Sequence, residues 1–340
     1  MTAPTEVSRL PDGSPGTPAP ARRRGPHGLL WLTLRVHRAS LWGWAAFAAV
    51  ATGGLLWLYD IARTREQWDG CGGPGRPACP PVDEMRLFDL LSNMITFLPF
   101  AVAVYAAGVL VARDLENGTA ALARTQSVSP ARWLAAKLAV PGVLIMAITA
   151  VMSLIFRQAW SFGTQQAFHP WHFDAVFHSA GVISLAHVVL GLAVGALAGL
   201  LAKRTLPAMG LAFAAFLPVH LAFNSLRYDL WPRVGATGFD AARIHSDPVL
   251  GEMGFVKDGG ARVQDSSCYG VASPADLQKC LDVHGARDLY LEFHPSSHFW
   301  PIQLVETGIV LALAAVVLWA AFRLLGTGNA TPTSRQEAAA

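Results

Sequence analysis

Between Ala112 and Lys137 the chain reads ARDLENGTAALARTQSVSPARWLAAK, with two acids and four bases set between two long apolar runs. What holds so many charges at this point decides the fold. Only 14% of the 340 residues are charged and 53% are hydrophobic, whereas a soluble domain carries about 25% charge. That balance makes a lipid bilayer the solvent and the charged stretch a loop kept out of it. A net charge of +3, without an Arg/Lys stripe interleaved with aromatics, excludes nucleic acid as a partner. Many of the eleven Trp residues flank apolar runs, as interfacial anchors do.

Six segments reach the length of about 20 residues that crosses roughly 30 Å of hydrocarbon. They run over residues 41–59, 88–112, 138–156, 179–202, 205–223 and 301–322. Backbone groups in lipid must pair within the segment, so each is expected to be a helix. Only Lys203 and Arg204 separate spans four and five, which predicts a very tight hairpin. The expected fold is an all-α polytopic membrane protein: six transmembrane helices with an extracytoplasmic loop domain between helices five and six.

Sidedness follows from the short loops. Arg22, Arg23, Arg24, Arg35 and Arg38 precede span one, and Arg113, Arg124, Arg132 and Lys137 lie between spans two and three. Lys203 and Arg204 follow span four, and Arg323 follows span six. All fall on one face, which the positive-inside rule makes cytoplasmic, against a weaker set at Arg63, Arg65, Arg76, Arg86 and Arg157 on the other. A multi-pass protein of the cell membrane with both termini in the cytoplasm is expected. All four cysteines, Cys71, Cys79, Cys268 and Cys280, then lie in outer loops, where disulfides persist. Four cysteines allow three connectivities; local closure favours Cys71–Cys79 with Cys268–Cys280.

The remaining segments divide the chain. Residues 1–26, rich in Pro, Gly, Ala and Thr, are expected to be a disordered cytoplasmic tail. Residues 27–40 read as an amphipathic helix on the inner surface or as a cytoplasmic extension of span one. Residues 41–223 hold spans one to five with a cytoplasmic loop at 113–137. Residues 224–299 are polar and long enough for a small outer domain, though no period of 2 or 3.6 runs through them. Their clearest helix is SPADLQKCLDVHG, with Ser273 as cap, Pro274 in the first turn and Gly285 past the end. Residues 300–325 form span six, and 326–340 a second cytoplasmic tail.

In the opening stretch, Asn117-Gly118 ends the helix that continues from span two, because glycine accepts the left-handed conformation. Thr119 caps a short helix, AALAR, and Ser129-Pro130 starts the next, which runs into span three. Helix, break, short transverse helix, break, helix is the shape of a docking lever. It is also the shape of a solvated connector, and local chemistry does not separate the two.

This stretch resembles the cytoplasmic coupling loop of type 2 ABC transporter permeases, in which an acidic-Gly-Thr step precedes a Ser-Pro turn and a Lys opens the next span. Glu116, Gly118, Thr119, Ser129, Pro130 and Lys137 stand in those places. A second run, FHPSSHFWPIQLVETGIVLALAAVVLWAAFRLL, is similar to the last-span entrance of actinobacterial-style members. The resemblance implies a permease subunit, an exporter by direction, with Glu116, Gly118, Thr119, Arg124, Ser129 and Pro130 coupling it to a separate ABC-type ATPase. It further implies a second permease subunit, identical or different. The chain contains no G-x-x-x-x-G-K-[ST] phosphate loop. ATP and Mg are therefore expected on the partner, with no cofactor bound by this chain and no enzyme activity of its own.

Glu306 and Asp89 are the acids nearest membrane depth, both close to the outer ends of their spans, and Glu306 is expected to pair with polar groups at the rim. His187 and His220 are the ionisable groups at mid-span, too few for an ion relay. His169, His172, His178, His294 and His298 gather near the outer face, but Pro170 and Pro295 interrupt an i,i+4 arrangement and no H-E-x-x-H is present; no metal site is expected. Gly191, Gly195 and Gly199 form a close-packing face on span four. The alternative reading is a membrane-embedded enzyme or ligand sensor with an extracytoplasmic histidine-containing site that includes Glu292 or Glu306.

Overall fold

The structure is a computed structural model that describes residues 38–65, 82–118, 129–162, 169–244 and 248–327. Six of its helices are long and apolar enough to cross a membrane. Helix α1 (Arg38–Arg65) and α2 (Val82–Tyr105) are followed by a widened π segment, Ala106–Ala112, and a last α turn, Arg113–Glu116. Then come α3 (Pro130–Phe162), the short α4 (Asp174–Ser179), α5 (Ile183–Ala202) and α6 (Thr205–Leu226). Span six is α9 (Phe299–Thr327). The helices overrun the sequence-based spans because a helix does not stop where the hydrocarbon does. The expected surface helix at 27–40 lies outside the described residues except for Arg38, Ala39 and Ser40, which open α1. The tail 1–26 lies wholly outside them, as does 328–340.

Helix α5 is the mast of the bundle. It is apolar all round, and such a helix belongs in a core. Of its spanning window 72% is buried, against 17–22% for α1, α6 and α9. It packs on α9, on α2 with its π segment, on α6 and on α3, while α1 lies against α3. The expected span start at 179 is replaced by a break at Ala180–Val182, which sets α4 off as a separate short helix. Its carbonyls are answered by side chains of neighbouring spans: Thr96 Oγ1 donates to the Ala175 carbonyl at 3.5 Å, and Gln303 Nε2 donates to the Phe177 carbonyl at 2.5 Å. Gln303 Oε1 in turn accepts from Ile183 N, the first amide of α5, at 3.1 Å.

The segment after α6 is a folded α/β unit rather than a loop. Strands β1 (Val234–Thr237), β2 (Val249–Lys257), β3 (Arg262–Gln264) and β4 (Ala286–His294) form one antiparallel sheet in the order β1-β4-β2-β3. A short α7 (Gly238–Ala242) and α8 (Pro274–His284) cover it, burying Ala241, Ala242, Leu277 and Leu281 against Phe255, Leu289 and Leu291. The ends of α8 are as its sequence predicts: Ser273 Oγ accepts from Asp276 N, Pro274 sits in the first turn, and Gly285 closes it at φ 56°. This unit marks one end of the molecule as the sheet end; the Glu116–Pro130 connection marks the other as the elbow end.

Candidate functional site

The elbow is entered from span two by the expected device: Asn117 ends the helix and Gly118 adopts φ 71°. It is left through Ser129, whose Oγ accepts from Arg132 N at 3.4 Å at the head of α3, with Pro130 as the first helical residue. Thr119 and Arg124, with the short helix expected there, lie outside the described residues. What the sequence did not show is how the elbow's two roots are tied to the bundle. Asp114 forms an ion pair with Lys137, joining the end of span two to the start of α3. Glu116 Oε2 accepts from Thr205 N at 2.9 Å and from Thr205 Oγ1 at 2.6 Å. It therefore caps the N-terminus of α6 from another helix, supplying an acceptor to an orphan amide and a negative charge to the positive helix end. Arg204, the N-cap residue itself, makes no side-chain cap bond. Lys203 holds the turn between α5 and α6 in the left-handed region at φ 53°.

The three glycines of α5 lie against span two. A Cβ on Gly191 would stand 2.7 Å from the Pro99 carbonyl oxygen, and one on Gly199 would stand 2.7 Å from Val111 Cβ and 2.8 Å from the Ala107 oxygen. At Gly195 the Ala103 oxygen is closer still. The two backbones meet along this seam within one chain, with no room for a side chain.

At the sheet end the bundle closes over a buried ionic knot. The guanidinium of Arg227, with 0% of its side chain exposed, donates from Nε to Glu306 Oε2 at 3.0 Å. It donates from Nη1 to Asp174 Oδ1 and from Nη2 to Asn224 Oδ1, both at 2.8 Å. Its flat face lies 4.1 Å from the centre of the Phe177 ring. Glu306 is also wholly buried, so its expected place at the rim is replaced by a place inside the knot. Asp174 is the third member and reaches solvent with about half of its side chain (57%). Asp89 is not in the knot; it meets His169 at 3.0 Å.

Beside the knot three imidazoles converge. His178 from α4, His187 from α5 and His220 from α6 are all buried, and one ligand atom from each lies within 4.8 Å of the others. The other histidines of the outer cluster serve elsewhere. His294 Nε2 meets the Tyr228 carbonyl at 2.9 Å and its Nδ1 meets His298 Nδ1 at 3.0 Å, tying β4 to the end of span five. Burial pulls the His294 pKa below the ordinary imidazole value, against the Tyr228 carbonyl, which raises it. Glu292 is paired with Arg262 at 2.9 Å. Cys268 and Cys280 form a disulfide that fastens α8 to the loop before it. Cys71 and Cys79 lie outside the described residues.

Among known proteins, the model of the family described as ABC-2 membrane transporter related matches residues 39–227. No curated protein and no solved structure matches the chain.

Proposed function

The chain belongs to the ABC-2 membrane transporter related family, and from that premise we propose that it is the membrane-spanning permease subunit of an ATP-driven exporter. The elbow end faces the cytoplasm, as the placement of Arg113, Arg132, Lys137, Lys203, Arg204 and Arg323 supports. A separate ABC-type ATPase docks there and carries the ATP and Mg. A second permease subunit completes the transport path.

The observation that carries this reading is the wiring of the elbow's roots. Asp114–Lys137 links span two to span three, and Glu116 links span two to the head of span five. A push on the elbow is thereby passed to spans two and three together, while the exposed Glu116–Thr205 contact lets the head of span five follow or release. The π segment Ala106–Ala112 lies directly behind the elbow, and Pro99, Pro141 and Pro218 interrupt the ladders of those same spans. Such interruptions are where helices bend. Tilting of the elbow ends about these points alternates access at the interface between the two permease subunits.

The test is purification of the tagged full-length chain from its native membranes. An ABC-type ATPase, identified by mass spectrometry and by Mg·ATP hydrolysis, is expected to travel with it. Thr119→Arg or Arg124→Glu is expected to remove that ATPase while the permease still inserts and elutes as a single species. Retention of the ATPase in both variants would overturn docking at the elbow.

A further inference from the structure

We propose that His178, His187 and His220 form a binding site for one divalent transition metal ion of zinc-like chemistry, buried at the sheet end of the bundle. The three rings come from three separate elements, and their ligand atoms lie within 4.8 Å of one another. Tetrahedral zinc with Zn–N bonds of about 2.1 Å needs nitrogens about 3.4 Å apart.

The neighbours of these rings set their tautomers. His178 Nδ1 lies 2.9 Å from the Asp174 carbonyl and His187 Nδ1 lies 3.1 Å from the Ile183 carbonyl. A carbonyl has no proton to give, so both Nδ1 atoms carry hydrogen and both Nε2 atoms carry the lone pair. A carbonyl on one nitrogen with the lone pair on the other is the arrangement that outer-shell contacts impose on metal-binding histidines; on His178 that lone pair now accepts from Arg227 Nη2 at 3.3 Å, a bond the metal replaces. His187 Nε2 has no hydrogen-bond partner among the described residues although the residue is only 1% exposed. On His220, Nε2 faces the Asn224 amide nitrogen at 3.4 Å, the long edge of a hydrogen bond, and a metal takes that lone pair in the amide's place.

Charge decides between a cation and an anion. Arg227 approaches His178 Nε2 at 3.3 Å and is the one group that opposes a metal. Its charge is already answered twice, by Glu306 and Asp174. The knot sets two carboxyl groups against one guanidinium. Glu306 Oε1 is buried and without a partner among the described residues. Asp174, partly exposed, brings the knot to the surface beside the rings. An all-imidazole set suits zinc, copper or nickel, and three protein ligands leave a fourth position open. The other convergent group, Cys268, Cys280 and His284, has both thiols committed to the disulfide.

The experiment uses the full-length chain purified without a polyhistidine tag, stripped with chelator and titrated with Co2+. About one Co2+ per chain is expected, with the visible bands of tetrahedral cobalt, and Zn2+ should displace it. His187→Phe and His220→Phe are each expected to weaken binding more than about 100-fold, beyond the 10–100-fold effect of outer-shell changes, while His294→Ala leaves it unchanged. No stoichiometric uptake, or uptake that survives both substitutions, would overturn the site. Should the variants not elute as single species, X-ray absorption on the metal-loaded wild-type chain decides: three imidazoles support the site, and two or fewer refute it.

Discussion

At the sheet end Arg227 and Glu306 meet with no exposed surface on either side chain, whereas at the elbow end Glu116 and Thr205 meet in the open. Both contacts join different spans, and their lengths are similar, 3.0 Å and 2.6 Å. Their consequences differ because the surroundings differ. Arg227 is held by four side-chain acceptors, Glu306, Asp174, Asn224 and His178, and by an aromatic face, so its charge is fixed inside the bundle. Glu116 can exchange Thr205 for water or for a docking protein at little cost. A bundle fastened in this way is fixed at one end and adjustable at the other, which is the division a lever requires.

The largest expected effect breaks the fixed end. Glu306→Ala leaves Arg227 buried with only the partly exposed Asp174 as counter-charge. Removing one partner of a buried ion pair costs about 3–5 kcal/mol, mostly because of the charge left behind. Denaturation in detergent should show that loss. Replacing both partners, as Arg227→Leu with Glu306→Leu, should recover most of it, since an apolar pair of similar volume leaves no charge unanswered. If the double variant is no better than the single one, the knot has a role that charge pairing does not describe.

The seam of α5 connects the two ends and sets the scale between them. Gly195→Ala drives a methyl group into the Ala103 carbonyl of span two. Overpacking of this kind costs about 1–3 kcal/mol. Gly210, on α6, has nothing within 4 Å of an added Cβ. Gly210→Ala should therefore stabilise, by about 0.5–1 kcal/mol, through helix propensity alone. Opposite signs for two chemically identical changes in neighbouring spans would sharpen the assignment of the seam; equal signs would break it.

The elbow end was the more legible end in the sequence. Gly118 and Ser129-Pro130 act within a few residues of themselves, and local chemistry is what a sequence displays. The six spans were legible for the same reason, since length and apolarity are properties of a segment. The sheet was not. Its β4 buries Leu289, Tyr290 and Leu291 in succession, because the helices cover Leu289 and Leu291 while Arg262 lies over the Tyr290 ring at 4.7 Å, and β2 carries two register shifts that reset any alternation. Arg227 was hidden by its own charge: hydropathy ends span five near residue 223 and assigns the next residues to solvent. The helix continues to Leu226, and the acids that make burial tolerable stand 53 and 79 positions away. The three histidines come from elements whose contact no spacing rule anticipates. Their ring centres lie 5.1–5.9 Å apart.

The smallest expected effect lies at the adjustable end. Glu116→Ala removes the acceptor shared by the Thr205 amide and hydroxyl. The site is exposed, so water replaces the carboxylate, and the melting behaviour of the chain should not change measurably. What should change is local: the Thr205 amide becomes an ordinary uncapped first-turn donor. Its hydrogen exchange should quicken while Ala208, which bonds to the Arg204 carbonyl inside the same helix, keeps its protection. Glu116→Gln retains one oxygen acceptor and should restore part of the slow exchange at Thr205. An elbow whose root can be loosened without unsettling the bundle is adjustable in the sense argued here. A fall in global stability comparable to that of Glu306→Ala would instead make the elbow a second fixed point and leave the lever without a moving end.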